Sequence, residues 1–253
     1  LATYRDVLHL QRTTAFGHYD DGFVLALERR TDHLGGQAPA ALSRQRVWRI
    51  RARHILVAAG AHERPVVFTD NDRPGIMLAH GARTFLHRYG VKVGEQAVVF
   101  TTNDSAYEAA IDLHDAGVRI NAIVEARDEA PAHWQRECDK RGITVRTSSV
   151  VCGTRGNGRV SHALVTSRDD TGTAVPLPCA APLVTGGWDP AVHLFSQARG
   201  KLRYEENLGA FVPGETLDGV TVAGSANGIF DLAGCLHDGE RAQGIANSLA
   251  CRG

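Results

Sequence analysis

One stretch near the middle of the chain restricts the fold more than any other. Gln96 to Phe100 is a run of strand-forming residues, Thr101 to Asp104 a polar turn, and Ser105 to Gly117 a helical pattern stopped by glycine. Val118 to Ala126 is again strand-like. Strand, helix and strand within about 30 residues make a βαβ unit, whose two strands must be parallel and whose crossover is right-handed. A chain containing such a unit builds a sheet covered by helices.

The flanking segments extend this reading. Leu78 to Gly90 has helical spacing and ends on a glycine at the position of a C′ cap. The stretch before it, Ala61 to Met77, carries two prolines and several turn formers and reads as a structured connection. Ala130 to Gly142 is a further helix, followed by a strand at Ile143 to Val151. Arg159 to Arg168 and Thr173 to Ala180 read as hairpin pieces before Leu183 to Trp188. At the start, two short strands flank His18-Tyr-Asp-Asp-Gly22, whose Asp-Gly pair signals a hairpin. Thr31 to Ala40 is loop and Val47 to Arg53 alternates like a strand. His54 to Gly60 is a nearly unbroken apolar run, as expected of a buried parallel strand. Val220 to Ala250 reads as strand, glycine-bearing turn and long helix. Its apolar face would hold Ile229, Leu232, Ala233, Leu236, Ala242, Ile245, Ala246 and Leu249, and its polar face Asp238, Glu240 and Arg241. Alternating βα units with antiparallel ribbons imply a layered α/β fold. No internal repeat is visible.

Composition excludes several classes. The 28 basic and 28 acidic residues are interspersed, which leaves no field for a nucleic-acid backbone. The apolar runs are of strand length, well under the roughly 18 to 20 residues that span a bilayer, so no membrane is expected. Five cysteines without a CxxC pair suit a reducing, cytoplasmic compartment better than a disulfide scaffold. The opening residues show neither a start methionine nor a signal segment, as in a chain cut from a longer one.

A dinucleotide-binding βαβ unit normally carries GxGxxG, because the pyrophosphate must approach the backbone and the helix N-terminus closely. That motif is absent. Its place in the central unit is taken by Thr101-Thr-Asn-Asp-Ser-Ala106, whose Asp104 would oppose a phosphate, although Asn103 or Asp104 could cap the helix. Glu125 ends the next strand, about 20 residues on, where a ribose-binding carboxylate is found in such units. The stronger signal is Gly224-Ser-Ala-Asn-Gly228, two glycines bracketing a strand-to-helix turn that could present amides to a phosphate. The alternative for this turn is close helix packing. Asp231 lies where a helix start favours a carboxylate in either case. His62-Glu63-Arg64 could place an ionised pair beside a ligand or be ordinary surface. Asp70 to Gly75 suggests a turn with salt bridges. His80, His87, His114, His133, His162, His193 and His237 read as surface or helix-face residues. No metal-ligand spacing and no catalytic residue can be named.

Across Arg51 to Val91, Val98 to Val118, Ile123 to Arg127, Leu183 to Leu202 and Val222 to Gly239, the chain resembles the alpha subunits of heterotetrameric sarcosine oxidases. Gly60-Ala-His-Glu-Arg-Pro65, Asn71-Asp-Arg-Pro-Gly-Ile-Met77 and the Gly224 to Gly228 turn carry the likeness jointly. The resemblance implies a glutathione-reductase-like fold of two dinucleotide domains. Residues 1–77 would be part of the first, 78–180 an inserted second, and 181–253 the return to the first. The first βαβ unit would precede Leu1, and a folate-related domain would follow Gly253. It implies NAD on this subunit, near Gly60, Ala61, His62, Arg64, Gly224, Ser225, Ala226, Asn227 and Gly228. FMN would lie at the interface with a beta subunit that also holds FAD, with gamma and delta subunits completing the assembly. Asn71 to Arg73 or parts of the second domain could face the FMN. Sarcosine would be oxidised on the beta subunit to glycine, hydrogen peroxide and formaldehyde, or methylenetetrahydrofolate. The isolated chain would be inactive. Two other readings are a subunit of an amino-acid or opine dehydrogenase or hydrogen cyanide synthase, and a structural subunit whose nucleotide sites have decayed.

Overall fold

The computed structural model describes residues 6–169 and 172–250, the last six of these by their backbone alone. The chain divides into two compact units, Leu1–His62 with Pro190–Gly253, and Glu63–Asp189. The crossings fall at 62/63 and 189/190 rather than at 77/78 and 180/181, because the segment after His62 is already bonded into the second unit. The Glu63 carboxylate accepts the His80 N–H, and the Arg64 N–H donates to the Gly187 carbonyl at 2.9 Å.

The first unit opens with β1 (Thr13–Tyr19), β2 (Phe23–Arg29) and β3 (Gln45–Arg51), an antiparallel sheet in that order. The Asp-Gly turn between β1 and β2 holds Asp21 at φ 56° and Gly22 at φ 64°, the paired positive angles that match the strand twist. β4 (Ile55–Val57) and β5 (Ala61–Glu63) follow. β4 departs from expectation, being three residues long with Leu56 exposed and only Val57 buried. Among the described residues it pairs only with β17 (Val220–Val222), and such edge-to-edge pairing leaves the burial of its faces to whatever packs across them.

The second unit contains β6 (Met77–Leu78), α1 (Ala79–Tyr89), β7 (Gln96–Thr101), α2 (Ser105–Asp115), β8 (Arg119–Glu125), α3 (Ala132–Lys140) and β9 (Val145–Arg146). β10 (Ser149–Arg155), β11 (His162–Ser167), β12 (Val175–Pro178) and β13 (Ala181–Thr185) follow. A parallel sheet runs β6-β13-β7-β8-β9, and β10-β11-β12 form an antiparallel sheet. The βαβ unit read from the sequence is therefore present, as are the hairpin and the glycine stop at Gly90, φ 64°. The strand expected at 143–151 is split by Ser148 at φ 47° into β9 and β10.

Alternation on the central strands sorts side chains to two cores. Ala97, Val99, Ile120 and Ile123 pack with the helices through Ala109, Ala110, Leu113 and Cys138. Val98, Phe100, Ala122 and Val124 face Val151, Ala163 and Val165 of the ribbon. Ile120 and Ile123 share a face because the β7–β8 register shifts at Asn121, which is bonded to the Pro178 carbonyl and the Gln96 side chain.

The four described cysteines, Cys138, Cys152, Cys179 and Cys235, are free; Cys251 lies outside the described residues. Burial pushes the thiols of Cys138 and Cys179 up to about 11. Only a thiolate alkylates readily. Native protein treated with iodoacetamide at pH 7.5 should therefore leave both unmodified by peptide mass spectrometry, with full labelling after denaturation. Modification of either in the folded state would contradict the packing described.

The chain returns to the first unit through β14 (Trp188–Pro190), α4 (His193–Gln197), β15 (Leu202–Glu205), β16 (Ala210–Pro213) and β17 (Val220–Val222). A turn of 3₁₀ helix, Gly224–Asn227, leads to α5 (Leu232–Ala250). On α5 the expectation holds in part: Ala242 is buried and Glu240 and Arg241 are exposed. Leu232 and Leu236 are exposed, while Asp238, assigned to the polar face, is 4% exposed. Asp238 and Ala242 are buried and Cys235 is half-buried; Asp238 and Cys235 face the preceding turn, at the Gly224 N–H and the Ser225 hydroxyl. The side chains of Ile245, Ala246 and Leu249 lie outside the described part.

Candidate nucleotide-binding site

β4 and β17 are parallel neighbours in register, Ile55 to Val220 and Val57 to Val222, so both reach their carboxyl ends together. The Ala223 N–H donates to the Val57 carbonyl at 3.0 Å and extends the pairing by one residue. Two turns therefore leave adjacent strand ends: Ala58 to Gly60, and Gly224 to Gly228. The crevice outside the carboxyl ends of parallel strands is where α/β folds bind ligands.

Gly60 sits at φ 78°, Gly224 at φ 68° and Gly228 at φ 83°, in the left-handed region that favours glycine. Gly228 has the least room. A Cβ there would stand 2.9 Å from Val212 Cγ1 and 3.1 Å from Leu208 Cδ1. We expect Gly228→Ala to cost ~1–3 kcal/mol from the unfavourable dihedral and the crowding together, read as a lowered denaturation midpoint. An unchanged midpoint would mean that the turn relaxes.

Asp238 organises the second turn. Its Oδ2 accepts the Gly224 N–H at 2.9 Å and the Asn227 Nδ2 at 3.2 Å, and its Oδ1 takes Arg241 Nε at 2.9 Å and Nη2 at 2.6 Å. Burial works against ionisation of this carboxyl, but Arg241 and the two turn donors outweigh it and hold its pKa below the ordinary value. Asp231 caps α5, accepting the Gly234 N–H at 2.7 Å. The start of α5 thus already has its carboxylate, as its sequence position suggested. The Gly224 N–H is taken by Asp238, and the Ala226 N–H lies inside the 3₁₀ turn that begins at Gly224, so of the three amides that open this turn Ser225 is the one ahead of its first internal bond. Asp238 carries no motif of its own. Its single signal in the sequence is an acidic residue amid the small and apolar positions of a helix that follows a glycine turn.

The other segments named from the sequence have bonds and contacts of their own. Ala61 lies in β5, and His62 is exposed with its ring edge-on to His193, 6.2 Å between centroids. Glu63 and Arg64 do not pair. The Glu63 carboxylate receives the His80 N–H at 3.1 Å on each oxygen and so caps α1; burial raises its pKa, against the pull of those bonds. Arg64 Nη2 instead lies 2.8 Å from Asp189 Oδ1. Asp70 to Gly75 is a turn in which Arg73 donates to Asp70 at 3.0 Å and to Thr154 Oγ1 at 3.1 Å. His80 lies on α1 and is half-buried. Its ring lies against Trp188, 4.8 Å between centroids, and its buried Nε2 has no partner among the described residues, while burial lowers its pKa. No group of three or more described residues has the arrangement to hold a metal ion.

The carboxyl edge of the second unit has a different character. Glu125 is fully buried at the end of β8. It accepts Arg127 Nε at 3.0 Å, Arg127 Nη2 at 2.8 Å, the Arg127 backbone N–H at 3.0 Å and the Tyr107 hydroxyl at 3.0 Å. Arg127 Nη1 reaches Asp104 Oδ1 at 2.7 Å. Asn103 Oδ1 accepts the Ser105 N–H at 3.0 Å and the Ser105 hydroxyl at 2.6 Å at the start of α2.

No protein-family model matches the chain. It is 44% identical over 244 residues to sarcosine oxidase subunit alpha of Corynebacterium sp. (strain P-1), covering 94% of this chain and 25% of that protein. Over 251 residues it is 40% identical to sarcosine oxidase subunit alpha of Rhizobium meliloti (strain 1021), covering 98% of this chain and 24% of that protein. The chain therefore spans about a quarter of the length of these relatives, and the resemblance read from its motifs is borne out. A shorter match, 32% over 111 residues, is to hydrogen cyanide synthase subunit HcnB of Pseudomonas aeruginosa, covering 44% of this chain and 23% of that protein. Among solved structures, thioredoxin reductase of Lactococcus lactis superposes with a TM-score of 0.65 at 16% identity, over 95% of this chain and 74% of that one. Thioredoxin reductase of T. acidophilum gives 0.62 at 18% identity, over 77% and 66%. The fold is the glutathione-reductase-like α/β fold with a parallel sheet.

Proposed function

We propose that this chain is the nucleotide-holding part of the alpha subunit of a flavin-dependent sarcosine oxidase. It would bind NAD at the carboxyl edge of β4 and β17. The observation that carries this reading is the pairing of two glycine turns, at Gly60 and at Gly224 to Gly228, on adjacent parallel strand ends, in a chain 40–44% identical to sarcosine oxidase alpha subunits. In it, the Ser225 amide donates to the pyrophosphate. Gly60, Ala61 and Gly228 shape the backbone around the nucleotide, Asn227 stays fixed by Asp238, and His62 flanks the site. NAD, when bound, supplies a nicotinamide ring able to accept a hydride. The protein's part is position and electrostatics.

The same reading assigns the two units to two nucleotide-type domains. It places FMN between this subunit and a beta subunit, FAD within the beta subunit, and gamma and delta subunits in a cytoplasmic heterotetramer. Sarcosine is oxidatively demethylated on the beta subunit, giving glycine, formaldehyde and hydrogen peroxide. Among the described residues no helix is long and apolar enough to cross a membrane. Denaturing the complex purified with its native partners should release NAD together with flavins, identified by mass spectrometry. Flavin without NAD would overturn the nucleotide assignment. The match to hydrogen cyanide synthase subunit HcnB favours a second reading, an amino-acid dehydrogenase or cyanide-producing assembly. Peroxide formation with sarcosine as substrate supports the oxidase; oxidation of other amino acids only through an added acceptor supports the second reading.

A further inference from the structure

We infer that the second unit takes no dinucleotide, and that Arg127 is the residue that closes it. In a nucleotide-binding βαβ unit, the turn after the first strand carries the pyrophosphate and the carboxylate ending the second strand holds the ribose diol. Here both positions exist, at Thr101 to Ser105 and at Glu125, but the chain occupies them itself. Both Glu125 oxygens are engaged by Arg127, with Tyr107 adding a third side-chain bond at 3.0 Å. The same guanidinium extends to Asp104, 2.7 Å away, at the mouth of the α2 N-terminus.

Arg127 thus bridges the ribose position and the phosphate position with one planar cation. A guanidinium suits this role because its fork of donors can satisfy one carboxylate on two edges while a third reaches the next. A dinucleotide entering this edge would have to break the Glu125 pair and set its pyrophosphate beside Asp104. The turn also lacks the glycines that permit close approach. The other helix start on this edge, that of α1, is filled by the Glu63 carboxylate. The residues therefore do not fit the group that the fold elsewhere carries, and the closure is built from side chains rather than from a change of backbone topology.

The test is hydrogen–deuterium exchange on the intact complex titrated with NADH and NADPH to millimolar concentration. Peptides covering 101–107 and 123–128 should show no added protection. The double variant Arg127→Met/Asp104→Gly, which frees Glu125 and removes the opposing carboxylate, should gain protection there and bind one more equivalent of dinucleotide per chain. Protection of these peptides in the unaltered protein would overturn the inference. So would a folded double variant that gains none. If that variant does not assemble, Arg127→Gln replaces it and is judged by the same gain. Peptides covering 58–62 and 224–228 report the proposed NAD site independently, so the failure of either idea can be told from the failure of the other.

Discussion

Replacing Arg127 by methionine should destabilise the second unit by ~3–5 kcal/mol, the usual range when one partner of a buried ion pair is removed. Glu125 has no access to solvent and would keep one hydrogen bond from Tyr107 and one from a backbone amide. Because the Arg127 side chain is 38% exposed, water can partly follow it out, so the lower end of the range applies. A loss of ~3 kcal/mol corresponds to about a hundredfold fall in the exchange protection of β8 amides. Adding Glu125→Gln to Arg127→Met should recover at least half of the loss, since the uncompensated charge is gone. If Arg127→Met changes protection by less than threefold, the bridge is an ordinary surface pair and the closure argued above loses its main support.

Asp238→Ala should cost ~2–3 kcal/mol, because the Gly224 N–H and the Asn227 amide are left without an acceptor. It should also strip the dinucleotide from the purified complex. Asp238→Asn keeps an acceptor oxygen for Gly224 and should cost about half as much. The pH dependence has a defined sign. The folded-state pKa of Asp238 is held below the ordinary carboxylate value of 3.8, so its contribution is complete above that value and disappears as pH falls through the lowered one. Nucleotide retention in the unaltered protein should therefore be flat from pH 5 to 8 as far as this group is concerned. Loss should appear only in acid, and Asp238→Asn should abolish that acid limb. Retention of NAD by Asp238→Ala at the unaltered level would show that the turn holds its shape through its glycines alone.

Much of the second unit is legible in the sequence because its signals are local. The alternation in Gln96 to Thr101 and the glycine stops at Gly90 and Gly117 act over a few residues, through dihedral preference and side-chain direction. The Asp21-Gly22 turn is legible for the same reason, since a primed turn needs two positive φ angles and those residues accept them. The first unit was harder to read. The Ile55 to Val57 run is as apolar as a buried strand, yet its burial depends on what lies across it. Likewise, spacing along α5 places Ala242 inward and Glu240 and Arg241 outward, but not Asp238, whose burial follows from the turn it bonds.

Composition and motif alone determined that this chain is α/β and which segments form most strands and helices of the second unit. They also identified the oxidoreductase subunits it resembles. Tertiary structure alone decided where the units divide and that Asp238 points inward. It separated Glu63 from Arg64 and placed Arg127 across the edge where a second nucleotide would sit. The reason is the range of the forces involved. Secondary structure follows from contacts between residues within one or two turns, while the ionic and hydrogen-bond partners of a buried carboxylate are chosen by which segments the fold brings together. Gly224 and Asp238 are 14 residues apart, and Asp104 and Arg127 are separated by a whole helix and strand.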